Sequence, residues 1–207
     1  MSDLTGTGTT TSGATGCGPP DAGLPDGVAL LERAIGYALG SLQGIRPPDL
    51  RLPTPCAGWT LGMLLRHVVD SVAALQEAVD TAGIAPGSAE PLGAALDPVG
   101  SLRTSTARLL GSWTRLPDED RLVAVGGCAM TTNLVAATGA VELAVHGWDV
   151  ARARGKLRPI PFDLALDLYV VARRLPADRA GLFAEPVPVP PYAGPSARLV
   201  AYLGRKP

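Results

Sequence analysis

From Thr131 to Gly155 the chain runs without a proline, and Glu142, His146 and Asp149 stand there among alanines, valines and glycines. Thr131 or Thr132 can cap the start of a helix, and Gly155 is a natural residue to end it. A helix this poor in bulky side chains lets its neighbours approach closely. Its polar groups must then be satisfied inside the protein or be put to use. The composition agrees: 46% of the residues are hydrophobic but only 4% are aromatic, so Ala, Leu and Val do most of the packing. That balance favours close-packed helices over a strand-rich sandwich. Leu122 to Val141 carries no charge, but its glycines, threonines and Asn133 argue for a core helix preceded by a loop rather than a membrane span.

Other segments show the same helical logic. Residues 1–24 are Gly, Thr, Ser and Pro with little to bury, which predicts a disordered tail. Asp26 caps a first helix with a stripe of Val28, Leu31, Ile35, Leu39 and Leu42. After a proline-rich connection, Thr60 opens a second helix to about Gly83, with Leu61, Leu64, Val68, Val72, Leu75 and Val79 on one face. Asp97 and Pro98 open a third helix. In the ambiguous stretch 116–130, RLVAVGG reads as a short strand or an extended loop. Pro161 and Asp163 begin a shorter fifth helix, EPVPVPPYAGP is extended, and ARLVAYLG adds a final helical turn or two. Four main helices with short connections predict an all-α antiparallel bundle over residues 25–155, with residues 156–207 as a C-terminal extension packed on it.

The 207 residues suit one domain. A net charge of −1 gives no electrostatic case for nucleic acid. No basic segment followed by an apolar run marks a signal peptide, and Cys17, Cys56 and Cys128 form no CxxC, so reduced thiols in a cytoplasm are expected. Flat alanine-rich faces leave a homodimer open.

The chain has two histidines. His67 falls on or beside the core stripe of the second helix, towards Ser71 and Ala74. Glu142 and His146 stack at i and i+4, and Asp149 continues their face. Singly, each has an ordinary structural reading: a hydrogen-bonded core histidine, a surface helix pair. If the second and fourth helices are neighbours, however, His67, Glu142 and His146 converge. Two imidazoles and a carboxylate form a catalytic zinc set, and the same set suits Fe(II). Asp149 and Asp70, each three residues after a histidine, are candidates to orient the ligands from behind. Cys56 and Cys128 read as buried inert thiols, Trp59 and Trp148 as core or pocket wall. Arg152, Arg154 and Arg158 read as a solvated cluster at the end of the fourth helix. No catalytic acid or base is identifiable.

The segments TPCAGWTLGMLLRHVVD and VELAVHGWDVARARG resemble the second-helix entry and fourth-helix motif of the DinB-like, mycothiol-dependent maleylpyruvate isomerase N-terminal family. The ending FAEPVPVPPYAGPSARLVAYLGRKP resembles the tail of a shorter actinobacterial subgroup of metal-binding proteins. The resemblance implies a DinB-like four-helix bundle holding a divalent metal, Zn2+ or another such as Fe2+ or Ni2+, on His67, Glu142 and His146. It also implies mycothiol as co-substrate in isomerisation or thiol transfer. Only residues 156–207 follow the fourth helix, where the isomerase carries a larger C-terminal domain, so maleylpyruvate itself is not the expected substrate. The expectation is a metal-dependent thiol transferase or isomerase acting on a small electrophilic metabolite. Its rivals are a non-catalytic binding module and a metal-dependent hydrolase. The small residues Ser71, Ala74, Thr138 and Gly139 predict a pocket beside the ligands.

Overall fold

The four long helices start at capping side chains in the sequence. The computed structural model describes residues 23–84, 97–115, 121–125, 127–175 and 184–207, so the tail expected over residues 1–24 falls almost wholly outside it. The first helix, α1 (Gly27–Ser41), begins after Asp26, whose carboxylate accepts from the backbone of Val28 and Ala29. A 3-10 turn, Pro47–Arg51, lies in the proline-rich connection. Thr60 caps α2 (Leu61–Thr81) by accepting from Met63 N. Asp97 and Pro98 open α3 (Pro98–Trp113), and Thr131 caps α4 (Thr132–Ala153). Gly155 then takes the left-handed conformation, and Lys156 N bonds back to Ala151 O, closing a Schellman turn. Two shorter helices follow, α5 (Phe162–Ala172) and α6 (Pro195–Tyr202).

The all-α expectation needs one correction. Three short strands, β1 (Gly83–Ile84), β2 (Leu122–Val125) and β3 (Cys128–Thr131), form a sheet in that order. β1 runs parallel to β2, and β2 pairs antiparallel with β3 from Leu122↔Thr131 to Val125↔Cys128. The residue pair between β2 and β3 is Gly-Gly, and Gly127 has φ +87, a conformation that a tight hairpin requires and that glycine adopts without strain. Val123 of β2 is buried and joins the helical core. Cys56 is a free thiol, as expected.

The central element is α4, which packs against α1, α2 and α5. Seventeen of its 22 residues are buried, so it has core on nearly every side instead of an amphipathic stripe. Small residues make this possible. A Cβ added at Gly147 would lie 2.9 Å from Ala38 Cα on α1, and one at Gly139 would lie 2.6 Å from Leu75 of α2. Of the arginines expected as a solvated cluster, Arg152 is exposed, but Arg154 and Arg158 are not. Arg154 donates to the carbonyls of Gln43 (2.7 Å) and Gly44 (2.6 Å) just beyond α1. Arg158 donates to Tyr37 O and Ser41 Oγ, both at 2.7 Å. They satisfy carbonyls at the end of α1 and pin it to the end of α4. No helix among the described residues is long and apolar enough to cross a membrane.

The α1–α4 contact is a test of this packing. Helix propensity alone favours Gly147→Ala by about 1 kcal/mol. The added methyl meets α1 backbone, and overpacking of that kind costs about 1–3 kcal/mol. The expected outcome is a lower Tm for Gly147→Ala; an unchanged or higher Tm would show that α1 can move aside.

Candidate metal centre

Packing of α2 against α4 brings His67 of one helix to Glu142 and His146 of the other. His67 Nε2 lies 2.7 Å from Glu142 Oε1, and His146 Nε2 lies 3.1 Å from the same oxygen. Ser71, one turn after His67, donates its hydroxyl to that oxygen as well, at 3.2 Å. The two imidazoles meet edge to face with centroids 5.0 Å apart. Trp59 packs its ring edge-on against His67, at 4.9 Å. The site grades from buried to open: the side chain of His146 is 6% exposed, Glu142 23% and His67 39%.

Behind His146 stands a second polar group. Its Nδ1 lies 3.0 Å from Oδ2 of Asp149, a residue with no exposed surface. The same Oδ2 accepts from Arg205 Nη2 at 3.1 Å and from the Cys56 thiol at 3.3 Å. Cys56 is presented by a tight turn in which Thr54 N bonds to Trp59 O and Trp59 N to Cys56 O, with Gly58 at φ +78. Arg205 arrives from a Schellman turn at the end of α6: Gly204 is left-handed and Arg205 N bonds to Val200 O.

Both ring nitrogens of His146 thus face carboxylates. Burial alone would lower its pKa, but the charge of Glu142 and the hydrogen bond to Asp149 outweigh burial and raise it well above the usual histidine value. Burial pushes the Glu142 carboxyl up; the charge of His146 and hydrogen bonds from both histidines overcome this and hold it well below the usual carboxylate range. Asp149 is likewise lowered: burial opposes the shift, and the His146 hydrogen bond and Arg205 charge prevail. An interior carboxylate that gathers protonated nitrogens is one that a cation can satisfy in their place.

The donor set fits such a cation. His67, Glu142 and His146 each offer one ligand atom, and these atoms lie within 4.8 Å of one another. Two imidazole nitrogens and a carboxylate oxygen make a three-ligand centre that keeps a position for another molecule. Hydrogen bonding of the rear nitrogen to a carboxylate, as Asp149 bonds His146, is the usual way to fix a ligating histidine. Cys56, His146 and Asp149 form a second group of the same kind, but Arg205 Nη2 already lies against both Asp149 Oδ2 and, at 3.5 Å, Cys56 Sγ. That guanidinium supplies the positive charge there, so the first group is the better cation site.

The sequence-derived candidates therefore divide. His67, Glu142, His146 and Asp149 come together; Asp70, expected beside His67, makes no hydrogen bond or ion pair to either histidine among the described residues. The sequence presents Cys56 as an inert thiol and carries no signal for Arg205. Cys56 lies 93 positions from Asp149 and Arg205 lies 56, and no local spacing carries that information.

Residues 31–151 match the model of the mycothiol maleylpyruvate isomerase N-terminal domain family. An uncharacterized protein of Mycobacterium tuberculosis, found in two strains, is 25% identical over 187 residues, covering 84% of this chain and 94% of its own. The crystal structure of the mycothiol-dependent maleylpyruvate isomerase superposes with a TM-score of 0.58 at 18% identity, covering 73% of this chain and 68% of that one.

The Asp149–Arg205 contact can be tested without any ligand. Breaking a buried ion pair from one side costs about 3–5 kcal/mol. For Arg205→Met the lower end is expected, because His146 and Cys56 still donate to the same oxygen. Urea unfolding measures it; a loss below about 0.5 kcal/mol would be that of an exposed pair, and the pair would not be the buried one described.

Proposed function

The chain belongs to the mycothiol maleylpyruvate isomerase N-terminal domain family, and from that premise we propose that it is a divalent-metal-dependent enzyme of small-thiol chemistry. Its reaction is thiol transfer or isomerisation of a small electrophilic metabolite, with mycothiol or a related low-molecular-weight thiol as co-substrate. In this reading α1–α4 form the antiparallel four-helix bundle of the family, and residues 156–207 pack on it as an extension. One observation carries the proposal: three donor atoms from two helices converge within 4.8 Å, with the rear nitrogen of His146 held by a buried carboxylate.

His67, Glu142 and His146 would hold the cation, and zinc is the metal this donor set suits first. A bound divalent cation lowers the pKa of a coordinated thiol and supplies its thiolate at neutral pH. The protein's own residues prepare the place. The Asp149 carboxylate accepts a hydrogen bond from Nδ1–H of His146, so the Nε2 lone pair is directed at the centre. Ser71 donates to Glu142 and limits how that carboxylate can turn. The edge of Trp59 limits the rotation of the more exposed His67. Helix-borne ligands held by packing in this way keep a fixed geometry through turnover.

Metal analysis of the purified protein is the direct test. About one divalent ion per chain is expected, falling to near zero in His67→Ala and His146→Ala; wild-type protein that takes up no metal under any loading condition would overturn the proposal. Metal-loaded protein, but not chelator-treated protein, should turn over a thiol with some member of a panel of electrophiles. No turnover across a broad panel would leave a binding module instead.

Asp149→Asn keeps the shape of the residue and removes its charge. Loss of an orienting carboxylate costs about 10–100-fold in metal affinity. A competition titration with a chromogenic chelator should read a drop of that size; unchanged affinity would mean that Asp149 serves the fold alone.

A further inference from the structure

Beside the three donors lies a cavity of about 460 Å3, within the size range that takes drug-sized molecules. Ser71, Ala74, Thr138 and Gly139, the small residues that predicted a pocket, all line it, and so does Glu142. The donor set and the cavity thus share one wall residue. Most of the remaining wall is hydrocarbon, including Leu75, Ile84, Val125, Met130, Val135 and Leu175. The two hydroxyls in the lining have already given their protons: Ser71 donates to Glu142 at 3.2 Å, and Thr138 donates to Leu134 O at 2.8 Å. No arginine, lysine or histidine belongs to the wall among the described residues.

These features decide between classes of ligand. A carboxylate or phosphate lying along this wall would lose its hydration with no arginine, lysine or histidine of the described residues to replace it; a cation held by the donor set could do so at the Glu142 end alone. An uncharged molecule loses little on leaving water and gains from burying its apolar surface. We infer that the cavity binds an uncharged, largely hydrocarbon molecule whose polar atom lies at the Glu142 end, and that this is the electrophile of the metal-dependent thiol reaction. The identification as electrophile rests on the function proposed above; the binding of a neutral apolar molecule does not.

A matched pair of fluorescent dyes tests the inference: N-phenylnaphthylamine is neutral, and anilinonaphthalene sulfonate is the same kind of ring system with a negative charge. Each is titrated into the full chain, with metal loaded and after chelation. After chelation the neutral dye is expected to bind roughly tenfold tighter or more than the sulfonate, since no cation among the described wall residues favours the anion; a metal at the Glu142 end of the loaded protein narrows that preference. Ala74→Phe and Met130→Trp fill the space from α2 and β3 and should each weaken the neutral dye, so that one serves if the other does not fold. Thr138→Lys places a cation in the wall and should shift the preference towards the sulfonate. Equal or tighter binding of the sulfonate to chelated wild type, no binding of either dye because the chain itself fills the space, or neutral-dye binding untouched by folded filling variants would each overturn the inference. Absence of thiol turnover with this dye pattern intact would count against the thiol chemistry and leave the apolar site standing.

Discussion

A carboxylate with no exposed surface has to be answered by donors from inside the protein, and Asp149 is such a carboxylate. Because α4 is surrounded by core, Glu142, His146 and Asp149 cannot all turn to water, and they bind one another and whatever reaches them. The result is a string of alternating charge: Glu142, His146, Asp149, Arg205. Each member comes with a segment attached. Glu142 draws in His67 and Ser71 of α2, and Asp149 draws in the Cys56 turn and the chain beyond α6. Apolar packing would tolerate small slides of these elements along α4, but hydrogen bonds of about 3 Å would not.

Much of this was legible in the sequence because it is local. A cap is a side chain acting on an amide two or three residues away, and Asp26, Thr60, Asp97 and Thr131 cap the helices they were expected to cap. The i, i+4 and i+7 spacing put Glu142, His146 and Asp149 on one face for the same reason. The sheet was legible only in part: β2 forms within RLVAVGG, which was open to a short strand or an extended loop, but nothing marked β1, β3 or their pairing. Its strands are two to four residues long, too short for alternation to register, and β1 pairs with a strand some forty positions later in the chain.

The two aspartates show where local spacing stops helping. Asp70 and Asp149 both follow a histidine by three residues on a helix, yet only Asp149 meets its histidine. The difference lies in the surroundings. Arg205 and Cys56 donate to Asp149 from distant segments, whereas His67 is fixed by Trp59, His146 and Glu142 on other elements. The family match ends at residue 151, so Arg205 also lies outside the part that the family model describes.

That last contact has a consequence for how the molecule is made. Cys56 and Arg205 are separated by 149 positions and meet over one oxygen of Asp149. Contacts across such separations form late, after the chain between them has ordered. As the chain emerges during synthesis, from its amino end, the helices carrying His67, Glu142 and His146 can pack while Arg205 is still to come. Until it arrives, a negative charge in the interior lacks its guanidinium. The centre is therefore completed only after the segment beyond α6 has emerged, by a side chain three positions past that helix.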